Sequence, residues 1–288
     1  MNLTLASIFK AVLQISLLAL TAGTAIAQDV VTLKVHHFLP PSSTAHAKFI
    51  VPWCDKIAKE SNNRMKCQIY PAMQLGGTPA QLFDQAKDGV ADIIWTVPGY
   101  QAGRFTVSEA FELPFIVTST EKGSRALWHY ATKNAMQEFK GVKPILFHLH
   151  DGNLLHTARK QIKSLEDFRG AKVRAATRQS TKMLTALEAT PVPMPLPQTP
   201  ESLAKGVIDG ALIPWEVSPA LKLEEIAQFH TELDPSSGQI SNSVFIFAMN
   251  PAKYNSLPPD LKKVIDANSG PEASAWVGRV FAESGLPG

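Results

Sequence analysis

The sequence predicts an α/β protein built from two similar lobes, and three observations lead to this fold class. Segments with strand patterns and segments with helix patterns alternate from residue 31 onward, which is typical of α/β folds. The order strand, helix, strand, helix, strand occurs twice, without a repeated sequence. The chain has 288 residues, of which 45% are hydrophobic, enough for one or two domains with a large core.

The first 27 residues have the pattern of a secretory signal peptide. Lys10 precedes the apolar run AVLQISLLAL, and Ala25 and Ala27 form the A-x-A pattern of a cleavage site. The run is about half as long as a membrane-spanning helix requires, so we favour cleavage over an uncleaved anchor. We expect cleavage between Ala27 and Gln28 and an exported mature protein.

The first round of elements follows the signal peptide. The alternation in VVTLKVHHF predicts a strand, and the next segment, STAHAKFIVPWCDKIAKES, has helical spacing. KCQIYP predicts a second strand. Thr78 and Pro79 then begin a helix that ends at Gly89. The round closes with three elements: the apolar strand ADIIWTV, the helix EKGSRALWHYATKNAMQEF and the strand KPILFHLH.

The second round begins near Gly152. SLEDFRG predicts one helical turn, with Ser164 and Asp167 in the positions of a capping box. The remaining segments alternate again: strand AKVRA, helix RQSTKMLTALEA, short strand PVPMP, helix TPESLAKG and strand VIDGALIP. Two further segments return across the molecule, the strand NSVFIFAMN and the helix PPDLKKVIDANS.

Charge and cysteine content restrict the class of protein. Without residues 1–27, which carry one lysine and no acidic residue, the formal charge falls from +3 to +2. The basic residues are scattered, so the sequence predicts no nucleic-acid surface. Cys54 lies in a helical segment and Cys67 in the strand that follows it, and an exported protein allows a disulfide between them. Two buried thiols are the alternative, and we favour the disulfide.

Common catalytic and cofactor motifs are absent from the sequence. It contains no G-x-G-x-x-G, no phosphate-loop lysine motif, no G-x-S-x-G and no H-E-x-x-H. His36 and His37 are adjacent on a strand and point to opposite faces. His148 and His150 share a face, but a zinc site normally takes three or four protein ligands. We expect no metal and no cofactor, and we disfavour an enzyme.

Residues at the ends of the predicted strands suggest a binding site instead. Ligands of open α/β sheets lie beyond the carboxyl ends of the strands. Arg174 ends the strand AKVRA, Trp95 and Val97 end ADIIWTV with Tyr100 just beyond, and Trp215 follows VIDGALIP. A guanidinium among aromatic and aliphatic side chains suits a small carboxylate with an apolar body. Alternatively, Arg174 pairs with Glu216 or Asp209, and the two tryptophans belong to the core.

Several segments together resemble one family. The segments IYPAMQLGG, LFDQAKDGVADI, FELPF, SLEDFRGAKVR, ATPVPMP and KGVIDGALIP resemble the solute-binding subunits of tripartite ATP-independent periplasmic (TRAP) transporters, in the order and spacing of that family. The resemblance runs from about residue 31 to residue 273. It implies a two-lobe periplasmic-binding-protein fold with hinge strands and a long connecting helix.

The resemblance also implies boundaries, a location and partners. It places residues 28–151 and about 239–278 in lobe I, and residues 152–238 and 279–288 in lobe II. It implies a periplasmic monomer that binds a small organic acid and delivers it to the membrane permease subunits. Members of the family usually continue for some tens of residues beyond ASAWVGRVFAE, so we expect a shortened C-terminus here.

The resemblance assigns roles to individual residues of the cleft. The arginine of the family's G-x-K-x-R segment binds the substrate carboxylate, and it is Arg174 here. Arg178 is a second ligand contact or a support for Arg174. Members that bind sialic acid have polar and charged cleft residues where this sequence has Phe38, Val97, Tyr100, Leu154, Leu196 and Ile213.

These apolar positions make an aromatic or other apolar monocarboxylate the expected ligand, because hydroxyl groups of a sugar acid would lose their hydrogen bonds there. His156 is expected to meet a ring hydroxyl or a keto oxygen, unless it is an ordinary strand histidine. A C4-dicarboxylate or sugar acid, and a secreted α/β enzyme acting on a carboxylate, are the alternatives.

Overall fold

The computed structural model describes residues 30–234 and 237–285. From residue 31 onward, the described residues fold as a two-lobe α/β protein. The predicted signal peptide, residues 1–27, lies outside the described residues. In the described part of the chain, no helix combines the length and the apolar character needed to span a membrane.

Ten strands form two five-stranded sheets. The first sheet has the order β2-β1-β3-β10-β4 and the second the order β7-β6-β8-β5-β9. The strands are β1 Val31–His37, β2 Met65–Tyr70, β3 Ile93–Thr96, β4 Lys143–His148, β5 Leu154–Thr157, β6 Lys172–Ala175, β7 Thr190–Pro193, β8 Gly210–Ile213, β9 Phe229–Thr231 and β10 Phe245–Met249.

Helices cover the sheets. The α-helices are α1 Val51–Glu60, α2 Leu82–Lys87, α3 Thr120–Tyr130, α4 Arg178–Ala186, α5 Thr199–Ala204, α6 Pro251–Ser256, α7 Pro259–Ala267 and α8 Pro271–Ser284. A π-helical segment, Ala45–Ile50, leads into α1, and a second one, Ala131–Ala135, continues α3. The 3₁₀ turns are Pro79–Gln81, Pro98–Tyr100, Ser108–Glu112, Glu166–Phe168, Leu196–Gln198, Trp215–Val217, Pro219–Leu221 and Leu223–Glu225.

The two sheets have the same internal pattern. In the first, β1 is parallel to β2 and β3, and β10 joins β3 and β4 antiparallel. In the second, β6 is parallel to β7 and β8, and β5 joins β8 and β9 antiparallel. All four residues of β3 and of β8 are buried, as expected for strands that helices cover on both faces. The two rounds predicted from the sequence are therefore the two lobes.

Two chain segments connect the sheets side by side. The side-chain amide of Asn153 donates to the hydroxyl of Ser241 at 2.9 Å. The backbone N–H of His150 donates to Oδ1 of Asn242 at 3.2 Å, and the amide of Asn242 returns a bond to the carbonyl of His150 at 2.8 Å. These bonds hold the two connections together, so the lobes are joined by a pair of adjacent segments. The residue boundaries predicted for the lobes stay a prediction.

The last helix, α8, packs along α3 on the first sheet. The ring of Phe281 lies 4.5 Å from that of His148, centroid to centroid, and Arg279 pairs with Glu121 at 3.5 Å. Residues 279–284 were expected in lobe II, and the structure places them on this helix against elements of the first sheet. Residues 286–288 lie outside the described part of the chain.

The predicted disulfide between Cys54 and Cys67 is confirmed. The two Cα atoms are 5.7 Å apart, and the bond ties α1 to the edge strand β2. Cys67 of β2 lies opposite Leu33 of β1, so the disulfide fixes α1 over the parallel strands β1 and β2. A cross-link across 13 residues contributes about 3 kcal/mol in the chain-entropy model.

Candidate ligand-binding site

A small cavity lies between the two lobes, where the carboxyl ends of β3, β6 and β8 meet. This is the edge at which open α/β sheets bind ligands. The cavity has a volume of about 30 Å³, whereas a benzene ring occupies a cavity of about 150 Å³. The lobes are therefore closed upon it, and a ring-sized ligand enters only when they separate.

Arg174 is the one cationic side chain that lines this cavity among the described residues. It is 3% exposed and stands near the end of β6. Its Nε donates to the carbonyl of Met194 at 3.1 Å, and its Nη1 donates to the carbonyl of Leu212 at 3.0 Å. These two bonds fix the plane of the guanidinium and leave its other donors for further partners.

No carboxylate of the described residues neutralises Arg174. None of the ion pairs in the described part of the chain includes it. The alternative partner Asp209 accepts from the backbone N–H of Lys172 instead, at 2.8 Å. The other alternative, Glu216, lines the same cavity but forms no ion pair with Arg174. Burial lowers the pKa of Arg174, and the nearby Tyr100 opposes that shift.

Aromatic side chains form one wall of the cavity. The indole of Trp95 is stacked between two phenyl rings, those of Phe38 and Phe245, each at 4.9 Å between centroids. Its Nε1 donates to Nε2 of His148 at 2.8 Å. Trp95 is only 1% exposed, so it belongs both to the core and to the cavity wall. A flat apolar ligand would meet a rigid aromatic surface here.

Tyr100 joins the two lobes at the cavity. It ends the turn Pro98–Tyr100 of the first lobe, and its hydroxyl accepts from the backbone N–H of Leu196 in the second at 3.2 Å. Burial raises the pKa of Tyr100, partly offset by Arg174, so the phenol remains protonated.

Six of the eleven predicted cleft residues line the cavity, namely Phe38, Trp95, Val97, Tyr100, Arg174 and Leu196. Arg178 does not. It lines an adjoining cavity of about 300 Å³ that shares Tyr100 and Ala176 with the inner one. Its guanidinium forms an ion pair with Glu109 of the first lobe, whose carboxylate also accepts from the amide of Gln179 at 2.9 Å. Arg178 thus fastens one lobe to the other.

The other four predicted cleft residues lie elsewhere. His156 is covered by the rings of Trp215 and His230, at 5.0 and 4.9 Å between centroids. Its two ring nitrogens meet the carbonyl of Ile213 and the Nδ1 of His230. The indole of Trp215 donates to Glu232. Ile213 packs in the core, and Leu154 lines a different cavity. These residues lie on or just after the predicted strands, but their side chains pack against other residues and do not line the cavity at Arg174.

Four polar residues of the cavity were not predicted as ligand contacts. They are His150, Asn153, Glu216 and Ser243, which lie just after β4, before β5, after β8 and before β10. The sequence already places these residues next to strand ends, and that position could have identified them as candidate ligand contacts. Glu216 was considered only as an ion-pair partner, and His150 only as a metal ligand.

Two of these polar groups are buried without a hydrogen-bond partner among the described residues. They are Oε2 of Glu216, a residue 8% exposed, and Nδ1 of His150, a residue 2% exposed. Burial raises the pKa of Glu216 to about 8, and the charge of Asp151 adds to that shift. Burial lowers the pKa of His150 to about 3, with smaller contributions from His148 and Arg174. Both side chains are therefore neutral near pH 7.

A larger cavity, of about 410 Å³, lies beside β5 and α4, and Pro114 and Phe115 of the first lobe also line it. Apolar side chains such as Leu155, Ile162 and Phe168 line it, and its charged lining residues, Lys163 and Glu232, are exposed. A carboxylate bound there would remain in water and gain little from those charges. The cavity at Arg174 is therefore the better candidate for an anionic ligand.

Comparison with known proteins agrees with this geometry. Residues 35–283 match the family model of the bacterial extracellular solute-binding proteins, family 7. A TRAP solute-binding protein from Rhodoferax ferrireducens T118, solved in complex with copurified benzoate, is 52% identical. That match covers 88% of this chain and 79% of the other, with a TM-score of 0.87.

Two further solved structures are similar. A TRAP solute-binding protein from a marine metagenome, described as specific for aromatic acid ligands and bound to 3-hydroxybenzoate, is 46% identical over 90% of this chain and 81% of its own, with a TM-score of 0.88. One from Bordetella bronchiseptica, with bound mandelate, is 27% identical over 88% and 80%, with a TM-score of 0.83. The chain described here belongs to the bacterial extracellular solute-binding proteins of family 7 and is the substrate-binding subunit of a TRAP transporter.

Proposed function

We propose that this chain captures an aromatic or other apolar monocarboxylate in the periplasm and delivers it to the permease subunits of a TRAP transporter. One observation carries the proposal. Arg174 is buried in the cavity between the lobes and has no carboxylate partner among the described residues. A buried, unpaired charge costs free energy, and a ligand carboxylate would supply the missing partner.

Arg174 is prepared to hold that carboxylate. The carbonyls of Met194 and Leu212 orient its guanidinium before a ligand arrives, so little side-chain entropy is lost on binding. The remaining donors can form a bidentate bond to a carboxylate, in a site from which water is largely excluded. Tyr100 adds a hydroxyl on the opposite lobe, so the bound carboxylate lies where the lobes meet.

The rest of the cavity favours an apolar ligand body. Phe38, Trp95 and Phe245 supply aromatic surface, and Val97, Leu196 and Val217 supply aliphatic surface. The Rhodoferax and metagenome proteins, at 52% and 46% identity, were solved with benzoate and 3-hydroxybenzoate. Each of these ligands has a single carboxylate on a flat ring, which matches one buried guanidinium among aromatic and aliphatic side chains.

The alternative ligands fit less well. A C4-dicarboxylate needs a second cation, but Arg178 is paired with Glu109 and lines the outer cavity rather than the inner one. A sugar acid would place several hydroxyl groups against the apolar walls, where each unsatisfied group costs about 1–3 kcal/mol. We therefore favour the aromatic monocarboxylate over both.

We infer that the ligand leaves the protein unchanged. The family consists of solute-binding proteins, and ligand affinity comes from differential contacts in the closed form. A secreted enzyme acting on a carboxylate is the alternative. Chromatography of benzoate recovered after prolonged incubation with the protein separates the two, because any product would support the enzyme.

Titration calorimetry on protein lacking residues 1–27 tests the assignment of Arg174. We expect benzoate to bind and succinate to bind far more weakly. Arg174→Ala should weaken benzoate binding by at least about a hundredfold, because it removes more than one charge-assisted bond. Arg169→Ala is the matched control, since it removes an exposed arginine that pairs with Glu188. Unchanged affinity in Arg174→Ala, or tight succinate binding, would contradict the proposal.

A further inference from the structure

Beyond the carboxylate clamp, the lining of the cavity includes two polar groups to which the proposed function gives no role. Oε2 of Glu216 and Nδ1 of His150 are buried without a hydrogen-bond partner among the described residues, and both side chains line the cavity. Leaving buried polar atoms unpaired costs free energy, and native proteins rarely tolerate it without a reason. Two such atoms in one small cavity indicate that a ligand group is their partner.

The two residues come from different parts of the fold. Glu216 is in the turn Trp215–Val217 that follows β8, and His150 lies on the connection that follows β4. The backbone of each residue is fixed: the hydroxyl of Thr44 donates to the carbonyl of Glu216 at 3.2 Å, and the N–H of His150 donates to Asn242 at 3.2 Å. Their side chains are thus held at the cavity by a rigid backbone.

The chemistry of the two groups selects a neutral polar substituent. Burial raises the pKa of the Glu216 carboxyl and lowers the pKa of the His150 imidazole, so both groups are neutral near pH 7. A neutral carboxyl and a neutral imidazole can each donate and accept one hydrogen bond. A hydroxyl group, which also donates and accepts, complements them. A second carboxylate would lack a cation, since Arg174 is the one arginine or lysine among the described lining residues.

We propose that Glu216 and His150 bind a hydroxyl group on the ligand ring, so that this protein prefers hydroxylated aromatic monocarboxylates to unsubstituted ones. The inference rests on the proposed function, because the ring reaches these residues only when Arg174 holds the carboxylate. It adds a specificity-determining pair to the site. Neither residue was expected to have this role from the sequence.

The test compares benzoate with 3-hydroxybenzoate and 4-hydroxybenzoate by titration calorimetry. In the native sequence we expect at least one hydroxybenzoate to bind about tenfold more tightly than benzoate, which corresponds to about 1.4 kcal/mol. Glu216→Leu should remove this preference, so that the ratio of the hydroxybenzoate affinity to the benzoate affinity falls to about one. Glu216→Gln retains a donor and an acceptor, so it should keep the preference.

Glu112→Gln is the matched control. Glu112 is also a buried glutamate with an unpartnered oxygen and a raised pKa, about 7, caused by burial, but it does not line the cavity. We expect it to leave the ratio of the affinities unchanged. A circular dichroism melt of each variant shows that it is folded.

The outcomes separate the inference from the proposed function. Equal affinities for benzoate and both hydroxybenzoates in the native sequence would overturn the inference, and so would a preference that survives in Glu216→Leu. In either case the proposed function stands if Arg174→Ala abolishes binding of all three. If none of the three aromatic acids binds, both are overturned.

Discussion

At the scale of single residues, Tyr100 connects the ligand site to the closed form. Its hydroxyl accepts from the backbone N–H of Leu196 in the other lobe and lies close enough to Arg174 to affect the pKa of each group. Burial raises the pKa of the phenol, so Tyr100 remains a neutral donor and acceptor. One hydroxyl therefore supports both lobe contact and the orientation of the guanidinium.

Tyr100→Phe should weaken ligand binding by about threefold to tenfold. The change removes one hydrogen bond and leaves the N–H of Leu196 without its acceptor in the closed form, which costs about 1 kcal/mol. Titration calorimetry with benzoate measures the effect. Tyr254→Phe is the control. The hydroxyl of Tyr254 donates to Asp266 at 2.7 Å, and neither residue lines the cavity. Equal losses in both variants would show that Tyr100 has no special role.

At the scale of elements, the sequence was sufficient to predict the strands that build the site. Periodicity and strand ends placed Arg174, Trp95 and Val97 at the cleft, and the cavity contains all three. Side-chain packing around those ends was not predictable in the same way. Trp215 follows β8 as expected, but its indole turns to Glu232 and covers His156. The partner of Arg178, Glu109, lies 69 residues away in the chain, and no local pattern connects them.

The two lobes approach each other closely where the turn Pro98–Tyr100 meets the start of α4. A Cβ atom added at Gly99 would lie 2.6 Å from Cγ2 of Thr177, the residue that caps α4. That distance is well below van der Waals contact, and the threonine is held in place by Ser180, whose hydroxyl accepts from its N–H at 2.9 Å. Glycine at this position therefore allows the closed form.

Gly99→Ala should hinder closure and reduce ligand affinity by about tenfold or more, while the stability of the open form is largely kept. Small-angle scattering should show a smaller ligand-induced contraction than in the native protein. Combining Gly99→Ala with Thr177→Ser removes the clashing methyl group and keeps the capping oxygen, so affinity should recover at least in part. If Gly99→Ala binds benzoate normally, the close approach does not limit closure.

At the scale of the whole molecule, folding brings titratable groups into an interior with little water. Burial raises the pKa of Glu216 to about 8 and that of Glu112 to about 7. Burial lowers the pKa of His37, His148 and His150 to about 3 and that of His156 to about 4. The folded protein thus keeps protons on the two glutamates and keeps them off the histidines, and its stability must depend on pH in both directions.

The sign of each dependence follows from proton uptake. Above pH 4.5 the unfolded chain releases the two glutamate protons that the folded state retains, so the contribution of the glutamates to the free energy of unfolding falls as the pH rises toward 8. Below pH 6.5 the unfolded chain binds protons at the histidines whereas the folded state does not, so the contribution of the histidines falls as the pH drops toward 3. Each group contributes at most about 1.4 kcal/mol per pH unit.

We therefore expect the ligand-free protein to be most stable near pH 6.5, because the four histidines outweigh the two glutamates below that pH and the glutamates outweigh the histidines above it. Urea unfolding at fixed steps from pH 4 to pH 9 measures this, with the midpoint and slope fitted at each pH. Glu216→Gln cannot ionise, so it should lose less stability than the native sequence between pH 6.5 and 8.5. A free energy of unfolding that rises over that interval, or an alkaline decline identical in both proteins, would mean that Glu216 is not buried in its neutral form.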